Sequence, residues 1–387
     1  MAQQNEHRSI EDAVGLLKEN GFDGLAEAIA VLINASMVSE REDYLGAKPY
    51  ERTAARVSHA NGFKGKCVKS RVGELRLKVP QTRDGGFYPQ SLEKGLCSER
   101  ALVVAVAEMY IQGVSTRRVK TIVEQMCGLE VSSTQVSRAA AQLDEVLDAW
   151  RERPLGRYRY ILLDAQYQKV RQGGQVLDAA TLLACGVDEA GHRDVLGCSV
   201  SLSEAEVHWR KFLASLKDRG LHGLELIVSD AHEGLKAARK AVFPSVPWQR
   251  CQFHLQQNAG QYVTAQDKRG PIAAEIRGIF NSPDLEAAEH LQEKFMERHE
   301  KKMPKLAQWV EDNLAEGFTV FALPSSHRRR LRTTNLVERL NEEIRRRTRV
   351  ARLFPNEASC LRLVTAIVME IAVDWQTADK RYLTFSD

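Results

Sequence analysis

Residues 158–164 read YRYILLD and residues 224–230 read LELIVSD, two apolar runs each closed by an aspartate. Short runs of this kind suit strands buried on both faces. A carboxylate following such a strand stands where ligands gather in an open α/β sheet, although Asp164 or Asp230 taken alone reads more readily as a turn or cap residue. A third acid, Glu338, lies in 335–347, NLVERLNEEIRRR. It too has a plain explanation, since Asn335 as N-cap and Glu338 three residues on would make a capping box. At 100° per residue, Leu336, Leu340 and Ile344 share one side of this helix and Glu338, Glu342 and Arg345 the other. The leucines can therefore anchor the helix while Glu338 faces a cleft. Two strand-end carboxylates and a third among arginines form a donor set for divalent metal against a nucleic-acid phosphate, in which two ions roughly 3.5–4 Å apart activate the attacking oxygen and neutralise the leaving one. Asp178, Asp188 and Asp194 lie in loop or hairpin-turn contexts and close no apolar run.

Outward from these runs, TLLACGV (181–187) and DVLGCSVSL (194–202) read as a hairpin joined by DEAGHR. A helix at 206–220, the strand before Asp230, a helix at 233–243 and a last strand in PWQRCQFH (247–254) follow. Three adjacent strands and then alternating helix and strand imply a multidomain α+β chain with a mixed five-stranded sheet flanked by helices. Residues 256–331 are helical and polar, with Pro271, Pro283 and Pro304 at helix starts or breaks, so an all-α insertion interrupts the sheet.

Upstream, residues 10–37 carry apolar residues at helical spacing with no evident partner, as a helical pair or a dimerisation arm. In GELRLKVP (73–80), Leu75, Leu77 and Val79 point one way and Glu74, Arg76 and Lys78 the other, which makes a strand with one wet, basic face. Ser115 is a candidate N-cap, followed by Val119, Ile122, Val123 and Met126 on one face and by Gly128 as a stop. A second helix from Ser132 or Ser133 carries Val136, Ala140, Leu143 and Leu147. Two such helices match a helix-turn-helix, with Ser133, Thr134, Gln135, Ser137 and Arg138 at the exposed start of its second helix and Arg117 and Arg118 on its first; an ordinary helical hairpin fits the spacing as well. Pro154 and Gly156 mark a boundary. The expected segments are 1–58 helical, 59–95 β-containing, 96–153 DNA-binding, 154–255 the first part of the sheet domain, 256–331 the insertion and 332–387 its second part.

The net charge of +4 is too small to establish a nucleic-acid partner, but ten arginines and no lysine fall between Arg328 and Arg352. Guanidinium groups donate paired hydrogen bonds to phosphate, although a solvated helix face also carries such runs. Seven scattered cysteines without CxxC pairs suit a reduced compartment. Cys251 and His254 are half of a zinc set with no second pair, so a core cysteine and a hydrogen-bonding histidine are expected, and no zinc. Trp209, Trp248, Trp309 and Trp375, four of the five tryptophans, sit on apolar patterns and are expected in the core. No signal peptide is visible, and the apolar stretch 361–375 is broken by Arg362 and Glu370, so the expectation is a cytoplasmic protein with access to the chromosome and no membrane.

Taken together, MYIQGVSTRRV, LLDAQYQKVR, GVDEAGHRDVLG, WRKFLASLKDRGLHGLELIVSDAHEGL, QRCQFH and TTNLVERLNEEIRRRTRVARLFPNEASCLRL resemble the Mutator-type transposases of bacterial insertion sequences, from about residue 50 to the C-terminus. The resemblance implies a ribonuclease H-like catalytic domain with a helical insertion. It makes Asp164, Asp230 and Glu338 a DDE triad, spaced by 66 (230 minus 164) and 108 (338 minus 230) residues, and matches Cys251 and His254 to that group's Cys-x-x-His element. It further implies Mg2+, with Mn2+ as a substitute, and a homodimer that holds terminal inverted repeats through the helix-turn-helix and joins them to target DNA. Arg339, Arg345 and Arg346 would contact that DNA, and no small-molecule substrate is implied. Two rivals are a catalytically silent repressor on the same fold and a structure-selective nuclease.

Overall fold

The computed structural model describes residues 2–92, 98–349, 353–378 and 381–385; Arg352, the last of the arginine run, lies outside them. The chain divides into two compact units, Met1–Leu143 and Asp144–Asp387.

The first unit comprises α1 (Ala2–Asn20), α2 (Leu25–Leu45), the antiparallel ribbon β1 (Ala60–Ser70) and β2 (Gly73–Thr82), then α3 (Arg100–Ile111), α4 (Thr116–Cys127) and α5 (Ser133–Ala141). The partner that the first helices lacked in the sequence is this ribbon: Ala30 and Met37 of α2 bury with Val68, Leu75, Leu77 and Val79. Glu74, Arg76 and Lys78 are exposed, as the alternation requires. Ser9–Leu45 includes a window long and apolar enough to cross a membrane; here a 3-10 turn, Gly21–Gly24, splits it into two helices.

Ser115 caps α4 by accepting the Arg118 N–H, and Gly128 ends it in the left-handed region at φ 63°. Ser132 and Gln135 form a capping box at the start of α5. Two details differ from the expected pattern. Met126 is 76% exposed, because Leu129 and Val131 from the following turn fill the core beside Val119, Val123 and Val136. The second helix also ends at Ala141; Leu143 is half-buried, and Leu147 belongs to a separate helix in the second unit. Apolar periodicity reads straight through this break because each helix keeps its own buried face.

The second unit opens with α6 (Asp144–Glu152), so the division falls ahead of Pro154 and Gly156. Then come β3 (Tyr158–Gln172), β4 (Gln175–Asp188), β5 (Arg193–Ser201), α7 (Glu206–Asp218), β6 (Leu226–Ser229), α8 (Glu233–Val242) and β7 (Trp248–Arg250). They form a mixed five-stranded sheet ordered β5-β4-β3-β6-β7, antiparallel from β5 to β3 and parallel from β3 to β7. Asp164 ends the apolar half of β3 rather than the strand itself, which continues to Gln172 and turns into β4 at Gly173 and Gly174, both with positive φ. Ile161 and Leu163 face a core built with Trp209, Phe212 and Leu213 of α7 and Leu235 of α8. By strand alternation Leu162, Asp164 and Gln166 face the other side of the sheet.

Beyond β7 the chain is helical: α9 (Gln252–Gly260), α10 (Gln266–Phe280), α11 (Leu285–His299), α12 (Pro304–Asn313), α13 (Ser325–Leu331), α14 (Asn335–Thr348) and α15 (Glu357–Thr377). The last strand is thus shorter than expected, and QFH belongs to α9. Helices α9 to α12 share a core of their own, including Leu255, Ile276, Phe295 and Leu306. Pro304 opens α12 and Pro283 precedes the cap of α11, whereas Pro271 lies inside α10, removing a backbone donor without ending the helix.

Candidate active site

Strand register brings the two aspartates to one level. β3 and β6 pair as Tyr160 with Leu226 and Leu162 with Val228. The same offset carries Asp164 to Asp230, which follows the end of β6. On the next strand Arg250 pairs with Ser229, and the Cys251 N–H donates to the Ser229 carbonyl at 2.8 Å. Three neighbouring strands therefore deliver Asp164, Asp230 and Cys251 in one row.

Helix α14 supplies the rest. Leu336, Leu340 and Ile344 are buried, while Glu338, Asn341, Glu342 and Arg345 line a cavity of about 460 Å³ together with Asp164 and His254. The expected capping box is absent, because Asn335 is already helical and Thr334 holds the cap position. The Thr334 hydroxyl instead donates to Glu338 Oε1 at 3.1 Å, and its N–H and hydroxyl each lie 3.4 Å from the Cys251 sulfur. Asn341, one turn beyond Glu338, donates from Nδ2 to Asp164 Oδ2 at 2.7 Å, while the Ala165 N–H donates to Asp164 Oδ1 at 2.9 Å. Sequence reading missed Asn341, although its spacing of three from Glu338 places both on one helix face.

Burial, with the Glu338 and Asp230 charges adding to it, pushes the Asp164 carboxyl up to about 6 against the opposing pull of the Ala165 N–H and of His254. Cys251 is fully buried and caps α9, one turn ahead of His254. Burial would raise its thiol, but hydrogen bonding and charge from His254, with a hydrogen bond from Thr334, outweigh it and hold the thiol below its ordinary value. In turn, hydrogen bonding to Cys251 works against desolvation and raises His254 to about 9, helped by the charges of Cys251, Asp230 and Asp164. The donor atoms of Cys251, His254 and Glu338 lie within 4.8 Å of one another, a grouping able to hold a metal ion. Spacing within the sequence alone had not joined Glu338 to the Cys-x-x-His pair. Asp164, Asp230 and Glu338 offer hard oxygen donors, the kind of ligand that a divalent cation such as Mg2+ or Mn2+ takes, and burial opposes ionisation of Asp164.

The arginine run divides by role. Arg347 is buried and pairs with Glu370 through both terminal nitrogens, at 2.7 and 2.8 Å, and with Glu343 at 2.8 Å, so it is structural. Arg328 and Arg332 hold Pro283 and Asn281. Arg339, Arg345 and Arg346 are exposed, the last paired with Glu343. In the first unit Arg117, Arg118, Ser133, Thr134, Gln135, Ser137 and Arg138 are all exposed. Trp209 is fully buried, and Trp248, Trp309 and Trp375 are half-buried.

The family model described as "Transposase, Mutator family" matches residues 1–378. The chain is 54% identical over 388 residues to the transposase for insertion sequence element IS406 of Burkholderia multivorans, covering 100% of both chains. It is 42% identical to that for ISRM5 of Rhizobium meliloti, over 99% of this chain and 96% of the other. With that for IS256 in transposon Tn4001 of Staphylococcus aureus it shares 38% identity over 92% of each. The chain belongs to the Mutator family of transposases.

Proposed function

We propose that this protein is an insertion-sequence transposase that cuts DNA at the ends of its element and joins the freed 3' ends to target DNA, with Asp164, Asp230 and Glu338 as a DDE triad. The observation that carries this reading is the convergence of the three acids: Asp164 and Asp230 at one level of adjacent parallel strands, Glu338 on a helix facing the cavity that Asp164 lines, and the charges of both Asp230 and Glu338 acting on Asp164. An antiparallel three-stranded half continued by two parallel strands supports a ribonuclease H-like domain. The capped helix pair α4–α5 supports a helix-turn-helix that grips the terminal inverted repeats. Two copies acting in the cytoplasm at the chromosome would pair the two ends.

Bound divalent cations would activate the attacking oxygen and offset charge on the leaving one. The chain's own groups prepare the site for that chemistry. Ala165 and Asn341 fix both oxygens of Asp164, α14 presents Glu338 one turn before Asn341, and Arg345 stands at the rim where a phosphate oxygen would lie.

The test is incubation of purified protein with Mg2+ or Mn2+ and labelled DNA bearing the inverted repeat, beside the Asp230→Asn protein. Nicking or joining at the repeat boundary by the unaltered protein alone is the expected result. Specific binding without cutting under both metals, with paired ends supplied, would favour a silent repressor. Cutting of branched DNA regardless of end sequence would favour a structure-selective nuclease.

Two further outcomes are expected. Asn341→Leu removes the donor to Asp164 and should lower cleavage roughly 10- to 100-fold, the scale for loss of a group that orients a metal ligand, while end binding is unchanged. A cleavage curve against Mn2+ concentration that superimposes on the unaltered protein's would refute this role. The second concerns pH. A carboxyl raised in the fold favours its protonated native form: that contribution is complete below the unfolded value of about 3.9 and is lost as pH rises through about 6. A cation must displace this proton, so the rise in melting temperature on adding Mn2+ should be larger at about pH 7.5 than at about pH 5.5. Equal shifts at both values would show that Asp164 is not a ligand.

A further inference from the structure

The β1–β2 ribbon is the most basic stretch of the first unit. Residues 60–83 carry Lys64, Lys66, Lys69, Arg71, Arg76, Lys78 and Arg83 against the single acid Glu74, an excess of six where the whole chain's excess is four. One face of the ribbon is spent on α2, through Val68, Leu75, Leu77 and Val79. The register puts Gly65 beside Lys78 and Cys67 beside Arg76 on the opposite face, all four exposed, and Lys64 and Lys66 beside Val79 and Leu77 on the α2 side; the Arg76 side chain is 86% accessible and pairs with Glu74 at 3.3 Å.

The ribbon is also fixed to the helix pair. At its hairpin end Lys69 Nζ donates to the Glu130 carbonyl in the α4–α5 turn, the Glu99 N–H donates to the Lys69 carbonyl at 2.6 Å, and Arg71 pairs with Glu99 at 2.7 Å. From that anchor the 11 residues of β1 run away from the turn. At about 3.3 Å per residue they reach roughly 35 Å, about one turn of B-DNA.

We propose that the exposed face of this ribbon is a second DNA-contacting surface, lying along the phosphate backbone beside the site held by α4 and α5. The proposal rests on the reading that the helix pair binds the element's ends. Its face offers the cations Arg76 and Lys78 and few amide or hydroxyl groups, so it contacts phosphates without reading bases. It adds affinity and salt dependence, while sequence discrimination stays with α5.

The test compares the full-length protein with Arg76→Ala/Lys78→Ala and with the charge-retaining Arg76→Lys/Lys78→Arg, after confirming equal melting curves. Affinity for inverted-repeat duplex is measured from low to high salt, with hydroxyl-radical footprints of each complex. The alanine pair should reduce the slope of log affinity against log salt by about 2, at about 0.9 per phosphate contact. It should also lose protection on one flank while keeping protection at the centre and the preference over random duplex, and the charge-retaining pair should restore both. An unchanged slope and footprint with normal end binding by the unaltered protein would overturn the ribbon's role alone. Failure of the unaltered protein to bind the repeat would overturn the reading beneath it as well. Loss of binding to phosphatidylglycerol vesicles, with DNA binding intact, would assign the surface to a membrane and overturn the proposal.

Discussion

Glu338→Gln, Asp230→Asn and Asp164→Asn are each expected to reduce metal-dependent cleavage by about a thousandfold or more, equivalent to about 4 kcal/mol of transition-state stabilisation, with end binding close to unchanged. Each replacement keeps shape and removes one negative charge from a site that gathers three. In Asp164→Asn a neutral amide would face the Asn341 donor and the Ala165 N–H, both of which now meet a carboxylate. Glu338→Gln leaves the packing of Leu336, Leu340 and Ile344 untouched, so α14 stays in place and only the donor changes. Single-turnover cleavage with pre-bound DNA separates the two effects. Loss of binding in all three variants, with normal melting, would mean that these acids act on the fold or on DNA contact and that the chemistry lies elsewhere.

Trp209→Ala should cost about 3–5 kcal/mol of stability in the second unit, the range for deleting a large aromatic from a packed core. Trp209 is fully buried on α7 among Ile161, Leu163, Leu182 and Leu196 of the sheet, with Phe212 at 6.1 Å between ring centroids. These strand residues alternate with those that face the cavity, so the damage is to the platform that carries Asp164. Urea unfolding followed by circular dichroism reads the effect as a lower midpoint. A loss below about 1 kcal/mol would show that the core collapses around the gap.

The two strand acids were legible because each follows a short apolar stretch, YILL before Asp164 and LIVS before Asp230, and Glu338 because the leucines of its helix leave it on the opposite face. The rest of β3 was not legible, since AQYQKVR pairs fully with β4 yet alternates between a covered face and solvent, which dilutes the apolar signal of a strand. Cys251 and His254 were read as part of a strand because a three-residue strand leaves too little pattern to mark where α9 begins. Asn341 escaped for a different reason. It is polar on what reads as the polar side of α14, and only its contact with Asp164 distinguishes a buried amide from a solvated one. The α2 partner was hidden by distance along the chain, which local periodicity does not register.

The helical block between β7 and α14 begins and ends side by side at a neck next to Cys251, and it rests on β7 and α8 through Glu316, Thr319 and Val320. The Gln252 N–H donates to the Arg332 carbonyl at 2.9 Å, and the Thr334 N–H donates to the sulfur of Cys251, 83 residues earlier in the chain. Everything between is therefore a closed loop clipped at its base, with a core of its own. A clip of this kind lets the block lengthen, shrink or change its outer surface over evolutionary time while the spacing of Asp230 and Glu338 in three dimensions stays constant, because their separation is set by a few hydrogen bonds at the neck and not by the length of chain beyond it.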